Sequence, residues 1–264
     1  ISKTEVTNAQ YAAFLNAVAA ADPDALFNGN MASDDGGITR RGSAGSYSYD
    51  VLAGRGDKPV NHVSFYDSLR FANWLQNGRP KGAQGNDTTE DGAYTITLAG
   101  MADNSIQRNA GAAFFLPSAD EWYKAAYYDA VSASFLDYPA GSDMPTVCAA
   151  PSATPNTANC ASAAGGLTDV GSYTGSGSPS GTFDQGGNVY EWNEAVMYGS
   201  LRGLRGGSKR SDPSFLAASY RYAAIPEDEY STVGFRIASI PEPSTSLLLL
   251  TGLLGLACRR RRDV

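Results

Sequence analysis

Long glycine-rich segments are the feature that most constrains what this chain can fold into. Three segments, 28–58, 78–93 and 139–181, are dominated by small and polar residues, and only short periodic stretches lie between them. The 29 glycines and 15 tyrosines are typical of short elements joined by sharply turning loops. With 42% hydrophobic residues, a chain of 264 residues can still bury a full core. The pattern argues against a helical bundle and favours a few short helices and strands.

Apolar periodicity and capping signals predict three helices. Thr7 with Gln10, and Ser118 with Glu121, have the spacing of a capping box, and Ser64 is a further N-cap residue. The predicted spans are 7–20, 64–77 and a short helix that begins at Ser118. Short strands are predicted at 94–99, 112–116, 203–208 and 233–239.

The charge distribution excludes one class of partner. The formal net charge is -7, and four of the basic residues are clustered near the C-terminus, so the rest of the chain is strongly acidic. Nucleic-acid binding needs a basic face to neutralise phosphates, so no nucleic-acid partner is expected. The single histidine, His62, excludes a multi-histidine metal site and is interpreted as structural.

The C-terminal segment has three parts in a fixed order. Pro241-Glu242-Pro243 precedes twelve largely apolar residues, Leu247 to Cys258, and Arg259 to Arg262 follow. A twelve-residue helix spans about 18 Å, which is short of a hydrocarbon core of about 30 Å. The order resembles the PEP-CTERM sorting signal; the alternative is a buried terminal helix, which four adjacent arginines disfavour. The resemblance implies export to the envelope or outer surface of a Gram-negative bacterium. It also implies an exosortase-type processing enzyme as a partner and transient membrane contact through the tail.

Cys148 and Cys160 flank a segment of eleven residues. They either form a disulfide that closes this loop or remain two unpaired thiols. Export favours the disulfide, because extracellular compartments are oxidising.

Six segments together resemble one family. They are 3–15 (KTEVTNAQYAAFL), 59–75 (PVNHVSFYDSLRFANWL), 116–127 (LPSADEWYKAAY), 184–192 (DQGGNVYEW), 205–208 (RGGS) and 234–236 (GFR). In this order they resemble the formylglycine-generating enzyme, or sulfatase-modifying factor, superfamily. The resemblance implies an irregular, loop-rich α+β fold related to C-type lectins. It covers a domain at 1–239, and the sorting tail occupies 240–264.

Enzymes of that family bind copper(I) through two cysteines that follow the Gly-Gly-Ser strand. Here Ser211 stands at the first position, and no cysteine occurs between 161 and 257. A serine hydroxyl is a hard, protonated ligand that does not replace a thiolate on copper(I). No catalytic residue, no copper and no formylglycine-type oxidase activity are therefore expected.

The resemblance also implies a structural calcium site. By position its ligands are the Asp184 and Glu191 carboxylates with the Gly187 and Val189 carbonyls, an oxygen set that suits calcium. The alternative is that both carboxylates only bind backbone amides and stabilise turns.

Four further residues occupy the region that lines the substrate groove in the family. They are Arg205, Ser208, Ser211 and Arg221. The alternative is structural, in which arginines bridge loop carbonyls and carboxylates.

Three functions remain open. The favoured hypothesis is a non-catalytic binding or surface module with an unknown peptide or glycan ligand, because the scaffold motifs are retained without the thiols. The second is an enzyme of the same superfamily with a cysteine-independent chemistry, such as an oxidoreductase-like protein modification. The third, suggested only by the tail, is a structural component of the extracellular matrix.

Overall fold

A computed structural model describes residues 1–240. The tail, 241–264, with the predicted apolar helix, lies outside the described residues. The α-helices are α1 (Asn8–Val18), α2 (Phe65–Gln76), α3 (Leu98–Ala102) and α4 (Ala119–Tyr127), and 3-10 turns occur at Gly29–Ala32 and Pro213–Leu216. The strands are β1 (Ile38–Arg41), β2 (Ser48–Val51), β3 (Phe114–Phe115), β4 (Tyr128–Asp129), β5 (Ser134–Phe135), β6 (Val147–Cys148), β7 (Thr157–Ala158), β8 (Tyr190–Met197), β9 (Leu201–Arg205), β10 (Tyr222–Ala224), β11 (Val233–Gly234) and β12 (Ala238–Ser239). Among residues 1–240, no helix is long and apolar enough to cross a bilayer.

The predicted helix starts are confirmed, because each capping box forms. The Gln10 amide donates to Thr7 Oγ1 (3.3 Å), and the Thr7 amide donates back to Gln10 Oε1 (2.9 Å). α2 and α4 begin in the same way after Ser64 and Ser118. α1 ends at Val18, two residues before its predicted end.

The strand predicted at 94–99 is wrong. Tyr94 and Ile96 are buried, as an alternating strand would place them, but no long partner strand pairs with them. The Tyr94 amide donates to Asn73 Oδ1 (2.8 Å) and the Ile96 amide to the Glu90 carbonyl (2.7 Å), so loop groups take the place of a ladder. Thr97 then caps α3.

The other strand predictions are partly right. β3 occupies two residues of 112–116, β9 begins at Leu201 and ends at Arg205, and 233–239 is divided between β11 and β12. The central strand β8 and the β1–β2 hairpin, which lies inside the segment predicted as a loop, were not predicted.

A four-stranded sheet in the order β10-β9-β8-β11 forms the centre of the domain. β8 pairs antiparallel with β9 and parallel with β11. Successive side chains of a strand point to opposite faces. In β8, Tyr190 and Trp192 therefore point to one face, and Glu191 and Asn193 point to the other.

The main core packs α1 and α2 against the Trp192 face of this sheet. Aromatic rings fill it: Tyr11 and Phe14 of α1 meet Phe71 of α2, and Phe71 contacts Phe235 with ring centroids 5.4 Å apart. A smaller cluster around Trp122 lies under α4, on the Glu191 face. The sheet is thus covered on both faces near its centre.

Candidate functional site

The four predicted groove residues divide between two places. Ser208 and Ser211 are buried and contact each other, since the Ser208 amide donates to Ser211 Oγ (3.0 Å). Arg205 and Arg221 instead line a separate cavity beside α4. The structure therefore brings the residues together as two pairs and not as one groove.

Ser211 contacts one wall residue of an aromatic groove. Its Oγ donates to the Tyr190 hydroxyl (3.3 Å), and the Tyr190 and Tyr222 rings lie with centroids 5.4 Å apart. The groove has a volume of about 340 Å³ and is lined by Tyr190, Phe215, Tyr220, Tyr222, Tyr230, Thr232 and Val233. We call these residues the tyrosine groove.

The lining of the tyrosine groove is neutral and amphipathic. Burial raises the pKa of Tyr190 to about 12, and a hydrogen bond to Asp228 is the largest cause that raises the pKa of Tyr230. Both phenols are therefore protonated at neutral pH. Tyr222 and Tyr230 are 47% and 48% exposed, so their rings are open to a ligand. These residues were not predicted from the sequence, although aromatic residues are dense in 215–230.

The cavity beside α4 has a volume of about 330 Å³. Its wall includes Arg205, Arg221 and Asn193, with Asp120 and Tyr123 from α4. Tyr222 lines both this cavity and the tyrosine groove. We call it the arginine cavity.

The predicted calcium segment contains a buried ion pair. Glu191 Oε1 accepts from Arg236 Nη2 (2.6 Å), and Glu191 Oε2 accepts from Arg236 Nε (2.5 Å) and from Trp122 Nε1 (2.7 Å). Arg236 also donates to the carbonyls of Ser2 (3.1 Å) and Phe183 (2.9 Å). The pair thus joins β8 to α4, to the loop before β8 and to the start of the chain.

The remaining predicted ligands are less occupied. Asp184 Oδ2 accepts from the Gly171 amide (2.5 Å), and burial raises the pKa of Asp184 to about 6. Burial, and then the Asp184 charge, raises the pKa of Glu5, whose Oε2 is buried without a hydrogen-bond partner. This part of the interior therefore has more carboxyl groups than cationic groups.

The donor set fits calcium in its chemistry, because all four predicted ligands are oxygens and the local carboxyl groups exceed Arg236 in number. Glu191 would share its oxygens between the ion and Arg236. Within residues 1–240, no three Asp, Glu, His or Cys side chains are grouped closely enough to bind a metal by themselves. The predicted calcium site differs from such a cluster, because two of its four ligands are backbone carbonyls. Calcium binding stays a prediction.

A third polar cluster surrounds Lys209, next to Ser208. The buried Lys209 ammonium donates to Asp35, which also accepts from the Arg210 guanidinium at 3.1 Å. Burial lowers the pKa of His62, and both of its ring nitrogens are buried without a hydrogen-bond partner in the described part of the chain. The ring is therefore neutral at pH 7, and no acid–base pair with Ser208 or Ser211 forms.

The structure joins Cys148 and Cys160 by a disulfide, with Cα atoms 4.9 Å apart. Cys160 is fully buried and packs against Ala158 and Leu216. The bridge therefore lies behind the segment that leads from Ser211 to the tyrosine groove.

Comparison with protein families matches residues 1–240 to the sulfatase-modifying factor enzyme 1-like domain and residues 239–262 to the PEP-CTERM protein-sorting motif. The chain therefore belongs to the sulfatase-modifying factor family, and its sorting motif marks it as an exported bacterial protein. No curated protein matches the sequence.

Two solved structures share the fold. The crystal structure of CarF is 23% identical, with a TM-score of 0.58, over 91% of this chain and 86% of that one. Treponema denticola variable protein 1 is 19% identical, with a TM-score of 0.52, over 90% of this chain and 82% of that one. These likenesses show the irregular α+β fold and nothing of the activity.

Proposed function

We propose that this protein is a non-catalytic surface module that binds an extracellular ligand in the tyrosine groove. The observation that carries the proposal is a groove without charged side chains in which the rings of Tyr222 and Tyr230 are about half exposed. Ser211, which stands at the position of a family cysteine, serves there as a hydrogen-bond donor to Tyr190 (3.3 Å).

The chemistry of the groove favours a glycan. The apolar C–H face of a sugar ring stacks on an aromatic ring, and phenol hydroxyls both donate and accept hydrogen bonds. Binding sites of this kind combine aromatic walls with a few convergent polar groups. A charged ligand would find no charged side chain among the residues that line the groove.

The test is binding of the full chain to glycan and peptide arrays, with Tyr230→Ala and Tyr222→Ala as variants. Tyr198→Ala is the matched control, because Tyr198 is 85% exposed and does not line the groove. We expect glycan signals that both groove variants reduce by about tenfold or more, since a stacked ring typically contributes more than 1 kcal/mol. If peptides bind instead, and both groove variants weaken their binding, the groove is the binding site but its ligand is a peptide. If binding is unchanged in both variants, the tyrosine groove is not the binding site and the proposal is wrong.

The absence of catalysis has its own test. The wild-type protein should not convert a sulfatase-motif cysteine peptide to formylglycine, with or without copper(I). Mass spectrometry that detects an aldehyde product above the no-protein control would favour the enzyme hypothesis instead.

We further propose a structural calcium ion at Asp184, Gly187, Val189 and Glu191. Its support is the excess of buried carboxyl groups around a single guanidinium. The ion would hold the loop before β8 against the strand and would take no part in ligand chemistry.

We also propose where the exported protein is processed and located. The Pro241-Glu242-Pro243 tail would be processed by an exosortase-type enzyme at the envelope of a Gram-negative bacterium, after transient contact with the membrane. The domain would then be displayed on the envelope or released to the outer surface.

A further inference from the structure

Arg205 differs from the other buried arginines because it has neither an acidic partner nor an acceptor for its Nε group. Arg236 is paired with Glu191, Arg70 with Glu90, and Arg202 donates to Asn104 and to three backbone carbonyls. Arg205 is only 4% exposed, and no carboxylate of the described chain lies within salt-bridge distance of it. A buried charge without a counter-charge is costly to the folded state.

One edge of the Arg205 guanidinium is held, and the other, which we call its open edge, is buried without an acceptor in the described part of the chain. Nη1 donates to the carbonyls of Ala218 (3.3 Å) and Tyr220. Neither Nε nor Nη2 has a partner among residues 1–240. The Nε–Nη2 edge of a guanidinium matches the two oxygens of a carboxylate.

Aromatic rings hold this guanidinium in place. Its central carbon lies 5.7 Å from the Trp122 ring centroid, 5.1 Å from that of Tyr123 and 5.9 Å from that of Tyr127. These cation–π contacts stabilise the charge in part but leave the open edge without an acceptor.

A second unpaired donor belongs to the same cavity. Asn193 is 1% exposed, and its Oδ1 accepts from the Ala195 amide (3.1 Å), which fixes the orientation of the side chain. The Asn193 Nδ2 group is then buried without an acceptor. Gly203 of β9 makes room for Asn193, because a Cβ atom at Gly203 would collide with the Asn193 side chain.

The charged residues of the cavity wall favour a ligand with a single negative charge. Arg205 and the exposed Arg221 contribute two positive charges, and Asp120 contributes one negative charge. The net charge of +1 matches a monoanion better than a phosphate dianion. Burial lowers the pKa of Arg205, and the charge of Arg221 acts in the same direction, so the two arginines repel each other until an anion arrives.

We infer that the arginine cavity is a binding site for a small organic carboxylate, which pairs with Arg205 and Asn193 inside the cavity and with Arg221 at its rim. The cavity, at about 330 Å³, admits a ligand of the size of a sugar acid or a capped amino acid. This site shares Tyr222 with the tyrosine groove, but its polar groups are different, and it does not depend on the function proposed for the groove.

Calorimetric titration of the full chain tests the inference with charged and neutral ligand pairs. Glucuronate is compared with glucose, and N-acetylglycine with its amide, so the two arms also separate a sugar acid from an amino-acid carboxylate. We expect at least one carboxylate to bind about tenfold or more tightly than its neutral counterpart, as a charge-assisted hydrogen bond implies. Equal binding of both members in both pairs would overturn the inference.

The variants are Arg205→Gln and Arg221→Gln, with Arg41→Gln as the control for the loss of one positive charge. The Arg41 side chain is 75% exposed and belongs to β1, which lies outside the cavity wall. We expect carboxylate binding to weaken about tenfold or more in Arg205→Gln and less in Arg221→Gln, with Arg41→Gln unchanged. Because Arg205 is buried, its variant is first checked for a native melting transition. If it does not fold, Arg221→Gln decides, and unchanged binding in that exposed variant overturns the inference.

Discussion

Glu191 shows how a motif residue can have a structural role that its sequence does not reveal. Its carboxylate accepts two hydrogen bonds from Arg236 and one from Trp122, and both charges are fully buried. Removing one partner of such a pair typically costs about 3–5 kcal/mol, because the other charge stays buried. A substitution of Glu191 therefore destabilises the domain whether or not a metal binds, and it is a poor probe for calcium.

Asp184 is the sharper probe for the calcium site. Its backbone has a positive φ of 58°, which Asn tolerates, and Asp184→Asn keeps an acceptor for the Gly171 amide while it removes the charge. At a hundredfold excess over the Kd, calcium should stabilise the wild type by about 2.7 kcal/mol. That corresponds to a rise in melting temperature of about 5–10 °C, and Asp184→Asn should lose most of it.

Thermal melts of both proteins in calcium, magnesium and chelator give the measurement. Magnesium should substitute poorly, because it requires a tighter octahedral geometry. Equal wild-type melting temperatures in calcium and chelator would show that Asp184 and Glu191 bind protein donors only.

Glu229 gives the domain a second titratable feature. Burial, and then the Asp67 carboxylate, raises the pKa of Glu229 to about 7, and Asp22 adds to the effect. An unfolded glutamate has a pKa of about 4.3, so between these values the unfolded state releases a proton that the folded state keeps. Stability should therefore fall as pH rises from about 4.5 to about 7 and then level off.

Glu229→Gln should make this fall shallower, since glutamine stays neutral and can still accept from Asn28, the partner of Glu229. The raised pKa of Asp184, about 6, keeps a further part of the fall in both proteins. At pH 8 the variant should be more stable than the wild type by on the order of 1–2 kcal/mol, after allowance for partial solvent screening. At pH 4.5 the two should be nearly equal. Urea titrations at both pH values measure the difference, and a variant that is less stable at pH 8 would contradict the assignment.

At the scale of elements, sequence signals succeeded where the chain interacts with itself locally. The capping boxes at Thr7, Ser64 and Ser118 involve residues three apart, and all three form. β8 was not predicted, because the side chains on its Glu191 face are polar although they are buried. The strand therefore does not alternate between buried apolar and exposed polar residues. The strand predicted at 94–99 failed for the opposite reason, since Tyr94 and Ile96 alternate inward while loop groups bind their amides.

In the candidate sites, too, local sequence motifs were predictable and contacts between distant segments were not. Ser211 was placed by its motif, but its contact with Tyr190 depends on how β8 and the segment after β9 meet in space. The open edge of Arg205 was not predictable, because it results from which carbonyls Nη1 reaches and from the carboxylates that are not nearby. Such non-local facts need the fold.

The Cys148–Cys160 disulfide stabilises the loop segment that contains β6 and β7. Those strands pair over only two residues each, so their own contribution is small. A bridge across a loop of this length contributes about 3 kcal/mol in the chain-entropy account. Replacing both cysteines by serine should therefore lower the melting temperature by about 6–12 °C.

Reduction supplies the control for that variant. Dithiothreitol should lower the melting temperature of the wild type by a similar amount and leave the double variant unchanged. A wild type that is insensitive to reduction, with the bridge opened as judged by mass, would show that the packing of Cys160 stabilises the loop without the covalent bond.

For the whole molecule, the domain and the tail have separate roles. Residues 1–240 contain a continuous hydrophobic core, so we expect the domain to fold without the residues beyond them. The motif match at 239–262 begins where the domain ends. We therefore expect the tail to act as a sorting address, and the proposed binding sites on the domain should keep their properties after its removal.

Processing of the tail is the prediction that tests this division. Twelve largely apolar residues are short for a membrane span, and we expect the arginines that follow them to stay on the cytoplasmic side until the tail is cut. Native protein should be recovered outside the inner membrane, cut near Pro241–Pro243, and intact-mass analysis should find no Arg259 to Arg262. Replacing Pro241, Glu242 and Pro243 by alanine should prevent the cut, so that intact-mass analysis finds Arg259 to Arg262 retained, with the melting temperature of the domain unchanged. Mature protein from the envelope that still contains the four arginines would show that the tail is not a processing signal.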